Sequence, residues 1–241
     1  MKTTDYITYT IDRFPKGYVF TYMDFITEVN KKDAIIKALN RMTASGKIGK
    51  LSKGKFYKLK DTLFGKLGPI QSQVVKDLLE EDGKITGYMT GFSIFNKMGL
   101  TTQVSNTIVI AKNQIRPNFK RERYSIWFVK QKNTITKESI KFLQILDVLR
   151  FIKKIPDASI ENSCKIILSI IDKIPDKEIN IMIRLALKYP PSTRALFGSI
   201  LDQLQKNIST EPLMKSLNPI TKYKLSGASN ALTTTNKWNI I

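Results

Sequence analysis

The sequence predicts an α+β protein: an N-terminal winged helix-turn-helix, then a mixed α/β domain, then a C-terminal helical region. Three observations predict it. Within residues 1–64, helical periodicity occurs three times and is followed by a lysine-rich hairpin pattern. NTIVIA over 106–111 and YSIWFV over 124–129 are dense in β-branched and aromatic residues, the composition of strands. From Thr136 onward the apolar spacing is that of helices.

The first helix is expected over about Asp5 to Phe14, where Ile7, Ile11 and Phe14 make one apolar face, and Pro15 and Gly17 stop it. Tyr18-Val19-Phe20 is a short extended stretch. Thr21, with Asp24 three residues on, reads as a capping box opening a second, short helix through Phe25, Ile26 and Val29. A third helix is expected from about Lys32 to Ser45, closed by Gly46 at its C′ position. Ala34, Ile35, Ala38, Leu39 and Met42 gather on one side of it, and Lys37, Asn40 and Thr43 lie on the other. KIGKLSKGKFYKLK, Lys47 to Lys60, then reads as two strands with Gly54 at the tip. Helix, short helix, longer helix, basic hairpin is the order of a winged helix-turn-helix, whose third helix enters the major groove and whose hairpin lies beside the phosphates.

Gly65, Gly68 and Pro69 mark a connector from Asp61 to Pro69 and place the first domain at 1–64. A second domain is expected over 69–208. Its helices are Ile70 to Glu81, closed by Asp82-Gly83, and Thr90 to Met98, stopped at Gly99. A basic turn, Arg116 to Arg121, separates the two strands and reads as a solvated loop, with a second nucleic-acid contact as the alternative. The helical region runs from Thr136 onward, with a first helix ending near Lys154, and Pro156-Asp157 and Pro175-Asp176 each read as a helix start. A last helix is expected over Ser192 to Lys206. The tail 209–241, rich in Ser, Thr, Asn and Lys, is expected to be loosely ordered.

The chain has 241 residues and is 42% hydrophobic, enough for a packed core. Forty Lys and Arg face 20 Asp and Glu, a formal charge of +20 that favours a polyanionic partner. Residues 1–60 carry 13 of the bases against 5 acids, the highest charge density in the chain. The single cysteine, Cys164, reads as a small buried apolar residue on a helix. Without an apolar signal core or a membrane-length apolar run, the expected location is cytoplasmic.

The chain contains no histidine, which removes Ser-His-Asp and Cys-His catalysis and most zinc sites. No glycine-rich phosphate cradle is present. Gly198-Ser199 matches the start of a nucleotidyltransferase signature but lacks the paired acids that would hold magnesium. No carboxylate pair supports an enzyme, and no metal or cofactor is expected. The candidate DNA contacts are Lys31, Lys32, Lys37, Asn40 and Arg41 on and before the third helix, and Lys50, Lys53 and Lys55 on the hairpin, with Lys58 also expected to reach toward DNA.

Tyr18-Val19-Phe20-Thr21-x-x-Asp24-Phe25, Ala38-Leu39-Asn40-Arg41-Met42 and Gly46-x-Ile48-x-Lys50-Leu51-x-Lys53-Gly54-x-Phe56-Tyr57 resemble the N-terminal winged helix of AbiEi-type antitoxins of type IV toxin–antitoxin systems. Gly91-Phe92-Ser93-x-x-Asn96-x-x-Gly99-Leu100-Thr101-Thr102-Gln103-Val104 is similar to the second domain of that family. The resemblance covers about residues 15 to 130, with weaker agreement through the helices to about 190. It implies a DNA-binding antitoxin that represses its own operon through promoter inverted repeats, with a C-terminal domain that neutralises a cognate nucleotidyltransferase toxin. Lys32, Arg41, Lys50 and Lys53 match basic positions of that family, which often carry arginine at the first, third and fourth. Lysine keeps the charge without the bidentate fork. A winged-helix regulator of a mobile element, acting without a toxin, is the alternative.

Overall fold

The computed structural model describes residues 3–26, 32–63 and 65–241. The protein is mixed α+β and divides into two compact units. The first is residues 1–80 with Lys120–Tyr124; the second is 81–119 with 125–241. The division after Glu80 lies beyond the connector expected at Gly65 to Pro69, so residues 70–80 belong with the first unit.

In the first unit, α1 spans Thr3–Arg13 and buries Ile7 and Ile11. β1, Val19–Thr21, leads into a 3-10 turn, Tyr22–Phe25, opened by the expected capping box: Thr21 Oγ1 accepts from the Met23 amide at 3.1 Å and Asp24 accepts from the Thr21 amide at 2.7 Å. The rest of the short second helix expected here, with Val29, falls outside the described residues, as does Lys31. α2, Lys32–Ala44, buries Ile35, Ala38, Leu39 and Met42 and is followed by Gly46 at φ +69°, a conformation that costs glycine little.

β2, Ile48–Ser52, and β3, Lys55–Lys58, form the expected hairpin around Lys53-Gly54, with a bulge between Lys50 and Ser52. β1 joins the far side of β3, giving the order β1-β3-β2. The packed face of α2 meets Ile7, Ile11, Phe20, Phe25, Ile48 and Phe56 in one core, within which Phe20 and Phe25 meet edge to face at 5.7 Å. Each large side chain buried this way contributes about 1.5–3 kcal/mol. The stretch expected to be a plain connector is a second hairpin, β4 (Lys60–Thr62) and β5 (Gly65–Leu67), tied to the end of α2 by Lys66 Nζ, which donates to the Gly46 carbonyl at 2.9 Å. The helix expected over Ile70 to Glu81 is two single turns, α3 (Gln71–Val74) and α4 (Lys76–Leu79), broken at Val75.

Glu80–Glu81 (β6) and Lys84–Ile85 (β7) pair across Asp82-Gly83, both at positive φ. Positive φ at both central residues suits a tight hairpin, so Asp82-Gly83 turns a strand and does not end a helix. The four-stranded main sheet has the order β10-β11-β9-β8, formed by Phe119–Arg121, Tyr124–Lys130, Thr107–Lys112 and Gly87–Thr90. β9 and β11, the two strands expected from composition, pair parallel, with Ser125 opposite Thr107. Thr90 ends strand β8, and α5 begins only at Phe92 and runs to Lys97.

α6, Ile140–Arg150, is the central helix, with Phe142, Leu143 and Ile145 through Leu149 all buried. α8 (Asp176–Ala186) and α9 (Pro191–Gln203) pack against it, α10 (Glu211–Lys215) packs on α8 and α9, and α7 (Ile160–Asp172) packs on a 3-10 turn at Ala228–Asn230. Pro175-Asp176 opens α8 as expected. Pro156-Asp157 does not open α7: Asp157 sits at φ +50° in a turn and the cap is Ser159, which accepts from the Asn162 amide at 3.1 Å. Cys164 is buried on α7.

The tail is ordered, against expectation. Leu213, Ala228, Leu232, Trp238 and Ile240 all join the core. The Trp238 ring lies on Gly198, where an added Cβ would come within 2.1 Å of it. Its Nε1 donates to Asp202 at 2.9 Å, and Ser199 Oγ meets Thr234 Oγ1 at 2.8 Å. A Ser, Thr and Asn-rich tail can pack because a few apolar residues reach a prepared helix face.

Candidate nucleic-acid interface

The outward stripe of α2 follows from its inward one. With Ile35, Ala38, Leu39 and Met42 committed to the core, Lys37, Asn40, Arg41 and Ala44 fall at i, i+3, i+4 and i+7 on the opposite face, and all four are exposed. Asn40 therefore points to solvent. Arg41 is exposed too. Lys32 opens the helix with its ammonium 5.0 Å over the Tyr22 ring.

On the hairpin, Lys50 and Lys53 are exposed. Gly54 at φ +75° makes the tip, where a larger residue would meet no neighbour but would be strained. Gly49 is fixed by contact: its missing Cβ leaves room for the Tyr57 ring, which an added carbon would approach to 2.1 Å. Among the described residues, Lys37, Arg41, Lys50 and Lys53 take part in no ion pair.

Two hairpin lysines are placed otherwise than expected. Lys55 is half-buried and ion-paired with Asp77. Arg121, 8% exposed, grips both oxygens of that carboxylate, Nη1 to Oδ1 at 2.7 Å and Nη2 to Oδ2 at 3.1 Å, sharing Oδ2 with Lys55. Burial opposes the charge on Asp77, but Arg121 and Lys55 outweigh it and hold the carboxyl below its ordinary range. Lys58 Nζ donates to the carbonyls of Asp12 and Phe14 at 2.7 and 2.9 Å, so it closes the last turn of α1. Neither ammonium is offered to solvent as Lys50 and Lys53 are. The partners of Lys55 are distant in sequence, and no local signal announces them. Arg121, expected in a solvated loop, is structural for the same reason.

A family model described as "Family of unknown function (DUF6088)" matches residues 6–179. The chain belongs to this family. The match spans the candidate interface and the main sheet, so both units carry the DUF6088 pattern. No curated protein matches the chain. Among solved structures, the chain is similar to the crystal structure of the RV2827C protein from Mycobacterium tuberculosis, with a TM-score of 0.60 at 12% identity, over 95% of this chain and 86% of that one. That likeness is one of fold. Among the described residues, no helix is long and apolar enough to cross a membrane.

Proposed function

We propose that the N-terminal unit of this DUF6088 protein is a winged helix-turn-helix that binds double-stranded DNA, with α2 in the major groove and the β2–β3 hairpin as the wing. The observation that carries the reading is the exposed set Lys37, Asn40, Arg41, Lys50 and Lys53, whose cations have no ion-pair partner among the described residues. The element order α1, β1, 3-10 turn, α2, β2, β3 with the sheet order β1-β3-β2 supports it. Lys50 and Lys53 suit phosphate, which fixes position without reading sequence. Asn40 and Arg41 suit base edges: Asn pairs with adenine and Arg with guanine in a bidentate manner.

The wider role follows the resemblance in the sequence: a non-catalytic antitoxin that represses its own operon and neutralises a nucleotidyltransferase-type toxin. The test has two arms. Fluorescence anisotropy with DNA from upstream of the gene should give binding that Asn40→Ala weakens by about 1–3 kcal/mol there and little on random DNA. Co-expression with the adjacent reading frame should restore growth. Equal loss on both DNAs would move Asn40 to the backbone. Failure of rescue with DNA binding intact would favour a regulator without a toxin.

A further inference from the structure

The second unit holds a cleft of about 750 Å³ whose wall carries Lys130, Lys132, Arg150, Lys188 and Arg194, and no lining residue is acidic. The five bases come from the end of β11, the loop following it, the end of α6, the loop after α8 and the first turn of α9. Chain segments far apart in sequence thus bring one sign of charge to one concavity. A cleft lined by one sign concentrates the opposite charge within it.

These cations are not neutralised by ion pairs. None of the five is in an ion pair among the described residues, whereas Lys141, Lys165, Lys206, Lys215 and Lys237 of the same unit all are. Arg150 makes a 3.4 Å contact to the Lys130 carbonyl, rests 5.0 Å over the Phe151 ring and feels the buried Asp147 carboxylate without pairing with it. Arg194 Nε is buried with no acceptor. A buried donor of this kind is an exception in folded proteins, and a ligand oxygen is one way to satisfy it.

The back of the cleft is rigid. Gln131 and Tyr189 line it, and their polar atoms are already used: Gln131 Nε2 donates to the hydroxyls of Tyr88 and Tyr189 at 2.7 and 2.9 Å, and Tyr189 OH donates to Asp147 at 2.9 Å. Asn133 fixes the Gln131 carbonyl oxygen by two further hydrogen bonds, at 2.9 and 3.1 Å. What remains for a ligand is the cationic rim and an apolar strip of Leu187, Pro190 and Pro191.

We propose that this cleft binds a small molecule carrying two or more linked phosphates next to an apolar or planar group, the chemistry of a nucleoside polyphosphate. Its volume lies in the range of small-molecule sites, about 300–1,000 Å³. Five cations without a carboxylate match several phosphate charges better than one. The apolar strip gives the remainder of the ligand a surface that a bare anion would leave uncovered. The cleft shares no residue with α2 or its hairpin, so it stands whether or not those bind DNA.

The test is calorimetric titration of the full chain with ATP, pyrophosphate, orthophosphate and a short single-stranded oligonucleotide. ATP is expected to bind more tightly than pyrophosphate, and pyrophosphate more tightly than orthophosphate. The double variant Lys132→Ala, Lys188→Ala, exposed at both positions, should weaken ATP by tenfold or more, about one charged contact's worth. Arg194→Gln should weaken it as well, with circular dichroism checking that the unit stays folded. Lys141→Ala and Lys53→Ala should leave it unchanged. Absence of ATP binding at millimolar concentration, or a loss shared equally by Lys141→Ala, would overturn the proposal. An oligonucleotide that binds more tightly than ATP and is weakened by the same cleft variants would overturn it too, and would assign the cleft to a nucleic-acid backbone.

Discussion

The two units share a lysine-rich composition and use it differently. In the first, ion pairing among the described residues converges on Asp77, leaving Lys37, Arg41, Lys50 and Lys53 exposed and unpaired. In the second, Lys141 meets Glu178, Lys165 meets Glu161, Lys215 meets Glu211 and Lys237 meets Asp202, all within 2.8 Å. A net charge of +20 therefore says little by itself. Lysines that find carboxylates are surface chemistry of modest worth. Lysines that leave a face or a cleft uniformly positive are the ones to test with anions.

The same contrast holds for two glycines. Gly49 makes room for Tyr57 and Gly198 for Trp238, and an added Cβ would come within 2.1 Å of either ring. Tyr57 is partly exposed and can swing toward solvent, whereas Trp238 is fully buried with its Nε1 held by Asp202. The largest effect expected anywhere in the chain is on this contact. Trp238→Ala should cost about 3–5 kcal/mol, and Gly198→Ala about 1–3 kcal/mol from overpacking. Thermal unfolding by circular dichroism should show both, with Gly49→Ala clearly milder. A Trp238→Ala protein as stable as the parent would mean that the tail is not part of the core.

Two carboxylates of the second unit should titrate in opposite senses. Asp147 is buried on α6, and burial raises its pKa despite donation from Tyr88, Tyr189 and Thr90 at 2.8–2.9 Å. A raised folded pKa means the native state holds the proton more tightly, so its contribution to stability is full at low pH and is lost as pH rises through the folded value. Burial also opposes the charge of Asp202, but Lys237, Trp238 and Thr210 outweigh it and lower its pKa. Its contribution is full above the ordinary carboxylate value of about 4 and is lost as pH falls through the depressed one. Urea unfolding against pH should show the acid-side loss shrink in Asp202→Asn, and the loss on raising pH shrink in Asp147→Asn. Unchanged profiles would mean that neither group is linked to folding.

What could be read in the sequence was local. The capping box at Thr21 and Asp24, the inward stripe of α2, the glycine hairpin tip and the two β-branched strands each follow from residues close together in the chain. What could not be read depends on partners far away. Lys55 meets Asp77, Lys58 meets the end of α1, and Trp238 meets Gly198. The second hairpin at Lys60–Leu67 was hidden because Gly65 and Gly68 serve a turn as readily as a linker. The basic cleft draws on segments from Lys130 to Arg194, a spread that no window along the sequence can detect.

DNA affinity sharpens the opening contrast within the first unit. Lys37→Ala with Arg41→Ala removes two exposed cations of α2 and should weaken operator binding by about 1–3 kcal/mol per side chain that reaches a base.

The smallest and most discriminating effect is expected on the hairpin, where Lys53 and Lys55 are two residues apart. Lys53 is exposed and unpaired, whereas Lys55 is paired with Asp77. On sequence spacing alone the two are equivalent phosphate contacts. Their surroundings make them different. Lys53→Ala should reduce the slope of log affinity against log salt by about 1 and weaken operator and random DNA alike, because a phosphate contact releases one counterion whatever the sequence. Lys55→Ala should leave that slope in place and act on folding, because Asp77 would keep Arg121 but lose its second cation. The measurement is anisotropy over a salt series for each variant, beside a urea midpoint. Equal slope changes would show that Lys55 leaves Asp77 to meet the phosphates. A slope unchanged in Lys53→Ala would show that the hairpin tip stays in solvent when DNA is bound.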